Sequence, residues 1–417
     1  MVAEAPHADG PLATLASRIS SLDVLRRFAL LGILLMNVQS FSMPIAAYFN
    51  PTAYGDFSGL NAIVWFLVHV FIDQKFMTLF SLLFGAGIIL FTSRAEERTG
   101  HSAALHYRRM FWLLVFGAAH AYLLWYGDIL YTYAVAAFLL YPFRRAAPRK
   151  LLIGGLIVFA MATAIGLGMA ATITSWPAEM EEQARADWSP TEEQVAAEIN
   201  AYRSGWSGQL AHRLPMALYV ETEILLMYWG WKAAGLMLIG MALFKWGVLS
   251  AKSSVRTYRR MAAGGFGVAV PLILIGVALN VTAGWSFEMS LWSSHFNYWG
   301  SLAMALGYVG IVMWWIRAGA WPALQGRLAA VGRTAFTNYI LQTILATSLF
   351  YGHGFGLFGS VDRVGQLLVC GAIWGVQLLL SPWWLRHYAF GPFEWAWRSL
   401  TYLRFQSLRP PGATATS

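Results

Sequence analysis

The sequence predicts an all-α protein, a polytopic membrane helix bundle of about ten transmembrane helices. Three observations predict it. Of 417 residues, 58% are hydrophobic and only 12% are charged, about half of what soluble domains carry. The apolar residues gather in runs of about 20, the length that crosses a bilayer. Lys and Arg recur in every second connecting segment, as orientation in a membrane requires. The 20 Trp, 18 Tyr and 26 Phe fit the same solvent, because aromatic rings collect at headgroup depth.

The runs lie at 28–49, 59–92, 110–126, 128–143, 151–173, 214–248, 261–281, 290–316, 334–352 and 364–385. Residues 1–27 form an expected cytoplasmic N-terminal segment with Arg18, Arg26 and Arg27 at its end. Its first 17 residues hold no basic stretch, and the run after it is too long for a signal peptide core, so it reads as an uncleaved first span. The second and sixth runs are too long for one straight crossing and are expected to tilt, break or begin at the interface. The fourth is short. Residues 28–389 are read as the bundle and 390–417 as a cytoplasmic interfacial helix and tail.

Basic residues fix the expected orientation. Arg94, Arg98, Arg108 and Arg109 follow the second run, and Arg144, Arg145, Arg149 and Lys150 follow the fourth. Lys252, Arg256, Arg259 and Arg260 follow the sixth, Arg317, Arg327 and Arg333 the eighth, and Arg386, Arg398, Arg404 and Arg409 the last. The intervening short loops carry little Lys or Arg, with Arg363 the main exception. Both termini are therefore expected in the cytoplasm. The segment 175–213 carries Glu179, Glu181, Glu182, Asp187, Glu192, Glu193 and Glu198 and is expected outside, as a lid over a cavity or as a solvated helical loop. Its arginines Arg185, Arg203 and Arg213 are outnumbered by these acids. Pro190 and the glutamates after it mark a helix start. In the tail, Glu394 and Arg398 are spaced to pair on one amphipathic helix. Glycine clusters at Gly85/Gly87, Gly154/Gly155, Gly166/Gly168 and Gly264/Gly265/Gly267 suggest close helix packing.

Several function classes drop out. A net charge of +9 invites nucleic acid, but the basic residues lie in short loops and no basic domain stands outside the spans. The single cysteine, Cys370, makes neither a disulfide nor a cysteine-rich metal site. No nucleotide-binding glycine loop, zinc motif or nucleophile elbow occurs, which speaks against an ATP-driven pump.

Ionisable groups within spans are costly in lipid and mark candidate sites. His120, with Asp128 at the following turn, has the make-up of a general base and its orienting carboxylate, or of a structural bond plus a helix cap. His69 and Asp73 share a helix face, whereas Lys75 points about 200° away from Asp73 on ideal spacing; the three imply either a broken helix, a wet cavity or a neutralised structural pair. Asn37 with Gln39, and Asn338 with Gln342 beside Thr337, are amides able to serve a site or to bond helices together. Glu221, Glu223 and Lys232 interrupt the sixth run.

The strings around these residues resemble a known family. Arg18-Ile-Ser-Ser-Leu-Asp-Val-Leu-Arg-Arg-Phe-Ala-Leu-Leu-Gly-Ile-Leu-Leu-Met-Asn37, Lys75-Phe-Met-Thr-Leu-Phe-Ser-Leu-Leu-Phe-Gly-Ala-Gly87, Gly127-Asp-Ile-Leu130 after His120, Gly332-Arg-Thr-Ala-Phe-Thr-Asn-Tyr-Ile-Leu-Gln342 and Gly391-Pro-Phe-Glu-Trp-Ala-Trp-Arg-Ser-Leu-Thr-Tyr402 are similar to the YeiB family of bacterial membrane proteins (domain of unknown function 418). The likeness covers nearly the whole chain in order. One departure is Arg27, where the family usually has glycine. The first-span pattern is also similar to transmembrane acyltransferases acting on sugars and to the heparan glucosaminide acetyltransferase group. These relatives pass an acyl group from cytoplasmic acyl-CoA to an acceptor across the membrane, served by an early asparagine and a cavity histidine. Asn37 matches the first by position; His120 matches the second by chemical type alone.

The resemblance implies a bacterial inner-membrane protein with acyl-CoA as donor substrate and no metal. Its partners would be membrane lipids and a small-molecule, glycan or lipid acceptor, with no nucleic acid. His120 would be the base, Asp128 its orienter, Asn37 and Lys75 the stabilisers of developing charge, and Arg26, His69, Asp73, Asn338 and Gln342 the substrate-binding groups. Two other readings stay open at this level: a transporter of a small solute or lipid precursor using His69, Asp73 and Lys75, and a non-catalytic membrane partner.

Overall fold

The computed structural model describes residues 11–321, 328 and 331–408, with side chains described from residue 21 onward. Arg327, Arg409 and the side chain of Arg18 lie outside that description. The described residues are mostly helical and contain no strand. In order, the helices are α1 (Pro11–Ser42), α2 (Ala46–Phe49), α3 (Gly59–Phe71), α4 (Lys75–Thr99), α5 (Ala103–Leu123), α6 (Leu130–Leu140), α7 (Pro148–Thr172), α8 (Ala178–Trp188), α9 (Glu192–Arg203), α10 (Trp206–Tyr219), α11 (Gly230–Lys245), α12 (Val255–Thr282), α13 (Phe287–Ala318), α14 (Ala335–Phe350), α15 (Arg363–His387) and α16 (Pro392–Tyr402).

Six helical segments of the described residues are long and apolar enough to cross a membrane: Gly59–Thr99, Pro148–Ser175, Trp206–Lys245, Val255–Thr282, Phe287–Ala318 and Arg363–His387. Helices α1, α5, α6 and α14 complete the bundle between them. Helix α6 has 11 residues and at 1.5 Å per residue spans about half of a bilayer core. In three of the six segments under a third of the apolar window is buried (22%, 28% and 28%), so α7, α12 and α15 ride on the outside with apolar side chains such as Leu368 and Leu379 facing outward. Hydrocarbon is the solvent that tolerates such faces. The chain is an all-α membrane helix bundle.

Both over-long runs are irregular. The second breaks between α3 and α4, where Gln74 adopts a left-handed φ of 64°. The sixth passes from α10 to α11 through a π-helical stretch, Val220–Trp229, a widened turn that recurs at functional positions. Close packing supports α4 and α11: a methyl at Gly85 would collide with the Met237 carbonyl, and one at Gly240 with that of Leu82. Of the glycine clusters, Gly85, Gly155, Gly166 and Gly265 face such close neighbours. Gly154, Gly168, Gly264 and Gly267 open on space, and Gly87 meets only Arg26 Nη2, at 3.8 Å.

Charge divides the bundle into two ends. Arg26, Arg94, Arg98, Arg109, Arg333 and Arg398 gather at one, the basic end. The acidic segment stands at the other as α8, α9 and the start of α10. Thr191 opens α9 with a reciprocal capping box to Gln194, so the helix starts two residues past Pro190. The segment docks on neighbouring loops: Glu198 Oε1 accepts the Ile45 N–H at 3.1 Å, Trp188 Nε1 donates to the Trp285 carbonyl at 2.8 Å, and Arg203 Nε donates to the Phe358 carbonyl at 2.8 Å. Arg363, the exception to the charge alternation, is buried and donates to the carbonyls of Asp56 and Pro51, both at 2.9 Å. It clamps a loop, which is why it breaks the pattern.

Candidate functional site

His120 sits near the end of α5 and Asp128 just before α6, and the turn between them folds back. Nδ1 of His120 lies 2.8 Å from Asp128 Oδ1, and both side chains are buried. The other carboxylate oxygen accepts the Tyr131 N–H at 2.7 Å. Asp128 thus does what both of its sequence readings allowed: it holds the histidine and it closes the first turn of α6. With the carboxylate ionised, Nδ1 carries the imidazole proton and Nε2 is left as an acceptor. Nε2 lies 2.9 Å from Thr343 Oγ1 on α14. The His120 ring also packs at 5.1 Å on the ring of Tyr339. A methyl at Gly117, one turn before His120, would strike the backbone of Tyr131, so only glycine lets α5 and α6 approach this closely.

A cavity of about 480 Å³ runs from the basic end toward this pair. Arg26, Arg94, Arg98, Arg109, Arg333 and Arg398 line it together with apolar walls that include Phe80, Leu83 and Leu113. Its inner wall includes Ile129, the neighbour of Asp128, and Tyr339, the ring against His120. His120 itself stands behind Tyr339. Arg26 stands in this wall, paired with Asp23 at 2.7 Å; Arg27 is fully buried and is not in the wall. Helix α16 covers one side with Trp397, Arg398 and Tyr402. Glu394 does not pair with Arg398. Its carboxylate accepts the N–H groups of Phe336 and Thr337 at the start of α14, while Arg398 stacks over Phe390 and Tyr402.

His69, Asp73 and Lys75 form a second, separate group. The break at Gln74 turns Lys75 back, so the angle of about 200° expected on an unbroken helix does not apply. Lys75 Nζ donates to the His69 carbonyl and to Asn297 Oδ1, and Asn297 Nδ2 donates to Asp73 Oδ2 at 2.9 Å. Tyr48 donates to Asp73 Oδ1 at 2.7 Å, and His69 Nδ1 stands 3.7 Å from Oδ2. Gln74 Oε1 accepts from Tyr228 at 3.0 Å and from Lys232 at 2.6 Å. Lys75 and Lys232 are both fully buried. None of these bonds reaches the His120–Asp128 pair.

Asn338 and Gln342 bond helices together. Asn338 Nδ2 donates to Thr334 Oγ1 at 2.9 Å and Ser381 Oγ at 3.0 Å, and Gln342 Nε2 reaches Gln377 Oε1 at 3.2 Å and the Leu30 carbonyl at 3.4 Å. Asn37 is buried on α1, and the bonds of the His120 pair go to Thr343 and Tyr131 instead of to it. The nine candidates therefore fall in different places: His120 with Asp128, His69 with Asp73 and Lys75, Asn338 with Gln342, Arg26 in the cavity wall, and Asn37 apart. Thr343, Tyr339 and Asn297 carry geometry that no motif or spacing in the chain singles out. Among the described residues no three His, Cys, Asp or Glu side chains stand together as metal ligands.

A membrane helix bundle with a basic-mouthed cavity and a buried histidine–carboxylate pair defines the class. The chain belongs to the YeiB family. It is 32% identical to the uncharacterised protein YeiB of Escherichia coli (strain K12) over 91% of this chain and 95% of that one. It is 30% identical to the uncharacterised protein YxaH of Bacillus subtilis (strain 168) over 94% and 96%, and 27% identical to an uncharacterised 39.9 kDa protein of Bacillus acidopullulyticus over 94% and 95%. The family model described as protein of unknown function (DUF418) matches residues 243–404. No solved structure matches.

Proposed function

We infer that the chain is an acyl-transfer protein of the bacterial inner membrane, with acyl-CoA as donor entering the cavity from the cytoplasm. The observation that carries this reading is the cavity: six arginines at a mouth suited to phosphates, apolar walls suited to an acyl chain, and an inner end one ring away from His120. The basic end is the cytoplasmic one under the positive-inside rule, with both termini there, the segment 175–213 outside and α16 along the inner interface. In the reaction, an acceptor hydroxyl attacks the thioester carbonyl, a C–O bond forms and the C–S bond breaks. His120 Nε2 takes the hydroxyl proton and passes it to the departing thiolate, while Asp128 fixes the ring's tautomer and steadies the imidazolium. Thr343 and Tyr339 hold the ring, and the side chains must part for an acceptor to reach Nε2.

Purified protein is expected to bind acyl-CoA and to hydrolyse or transfer its acyl group, and His120→Ala to abolish turnover while binding persists. Absent binding by the wild type, or unchanged turnover in the variant, overturns the reading. A transport reading has one observation of its own: the broken α3–α4 helix with the half-buried Asp73 and the fully buried Lys75 and Lys232 beside it, a form that transporters use at their binding sites. Uptake by reconstituted vesicles that is lost in Asp73→Asn and indifferent to His120→Ala would select it.

A further inference from the structure

The acidic end holds a buried guanidinium that none of the foregoing uses. Arg213 on α10 is 0% exposed. One nitrogen, Nη1, donates to the Leu124 carbonyl at 2.9 Å, and the guanidinium lies 4.9 Å above the Trp206 ring. Nε and Nη2 are buried with no hydrogen-bond partner among the described residues. Among the described residues no carboxylate pairs with it; the titratable groups that face it are the phenols of Tyr202 and Tyr351, and His353. Two further buried donors without a partner among the described residues, Tyr351 Oη and Trp125 Nε1, lie together in the apolar cluster at this end. Trp125 adjoins the carbonyl that Arg213 holds, and its ring packs 6.3 Å from that of His120. A buried cation with unsatisfied donors is expensive, and native structures rarely leave such groups without an acceptor.

We propose that Arg213, Tyr351 and Trp125 form an oxyanion-binding site beside His120, opposite the arginine-lined cavity, which takes the carboxylate or phosphate group of the acceptor substrate. A fork of guanidinium N–H groups backed by a phenol and an indole donor matches an acceptor-only ligand and excludes a cation. The acceptor role rests on the acyl-transfer reading; the oxyanion site does not, because its argument uses no step of that reaction. An anionic acceptor held here would reach His120 from the side away from the donor, so the two substrates need not share one mouth.

The test is a binding titration of full-length detergent-solubilised protein with inorganic phosphate and, separately, acetate. It is run in an Arg94→Gln/Arg98→Gln background that weakens anion binding in the cavity. One saturable site is expected. Tyr351→Phe, which removes only the hydroxyl, should weaken it about three- to tenfold, and Arg213→Gln by at least about tenfold. The stronger of the two probes tells a phosphate-bearing from a carboxylate-bearing ligand. Absence of saturable binding, or affinity unchanged in Tyr351→Phe and in any folded Arg213 variant, overturns the site. Saturable binding in a protein that transfers no acyl group leaves the site standing and removes its acceptor role.

Discussion

Glu394 Oε1 accepts the Phe336 N–H at 2.7 Å, joining the last helix of the bundle to the first turn of α14. A second bond from the Thr337 N–H, at 3.1 Å, and one from its hydroxyl complete the cap. A carboxylate there satisfies two helix-terminal donors and opposes the positive end of the helix dipole. Because Glu394 and Trp397 both line the cavity, the cap also fixes that wall. Glu394→Ala is expected to lower stability by about 1–2 kcal/mol and to expose α16 to protease, with Glu394→Gln between the two. Limited proteolysis and thermal unfolding check this. A fully protected α16 in Glu394→Ala would show that other contacts hold the helix.

The His120–Asp128 pair predicts a split between folding and turnover. In Asp128→Asn the amide oxygen still accepts the Tyr131 N–H, so that bond at the start of α6 is kept. The fixed tautomer of His120 and the charge that would steady an imidazolium are both lost. Acyl transfer should fall about 10²- to 10⁴-fold with little change in melting temperature and with acyl-CoA affinity retained. Activity in Asp128→Asn within a few-fold of wild type would assign the pair a purely structural role.

What the sequence reveals depends on the range of each interaction. Basic loops alternate visibly because each charge answers to the membrane on its own, without a partner. The break near Asp73 is also visible, since the run is longer than a bilayer is thick. The partner of Lys75 is not: Asn297 lies 222 residues away, and the left-handed Gln74 resets the helical phase on which the spacing argument depends. The cavity is hidden for another reason. Each of its six arginines is already accounted for by orientation, so only folding shows that they converge. Arg213 is masked likewise, because acidic neighbours in the chain are not its neighbours in space.

The Asp73 network predicts strong coupling. Asp73 is the carboxylate among two fully buried lysines, Lys75 and Lys232. Asp73→Ala removes the acceptor of Tyr48 and of Asn297, which in turn holds Lys75, and should cost about 1–3 kcal/mol, seen as a drop in melting temperature. Replacing both ends of the Lys75–Asn297–Asp73 link, Asp73→Leu with Lys75→Met, should recover part of that loss, because charges removed together leave neither without its counterpart. Additive losses in the double variant would mean that Asp73 and Lys75 act independently.

Glu198 ties the acidic segment to the loop after α1, and burial makes that tie pH-dependent. Desolvation pushes its carboxyl up to about 7 although the Ile45 N–H bond acts the other way. An unfolded glutamate releases its proton near 4.5, so between these values the folded segment holds more protons than the unfolded one. Stability therefore falls as pH rises from about 4.5 through 7 and levels off above, by an amount on the order of 3 kcal/mol. Glu198→Gln keeps an acceptor for the Ile45 N–H and has nothing to ionise. Hydrogen exchange at the Ile45 amide should accelerate from pH 5 to pH 8 in the wild type beyond its intrinsic rise. In Glu198→Gln the excess should vanish. An excess that persists unchanged in the variant would place the titrating group elsewhere in the segment.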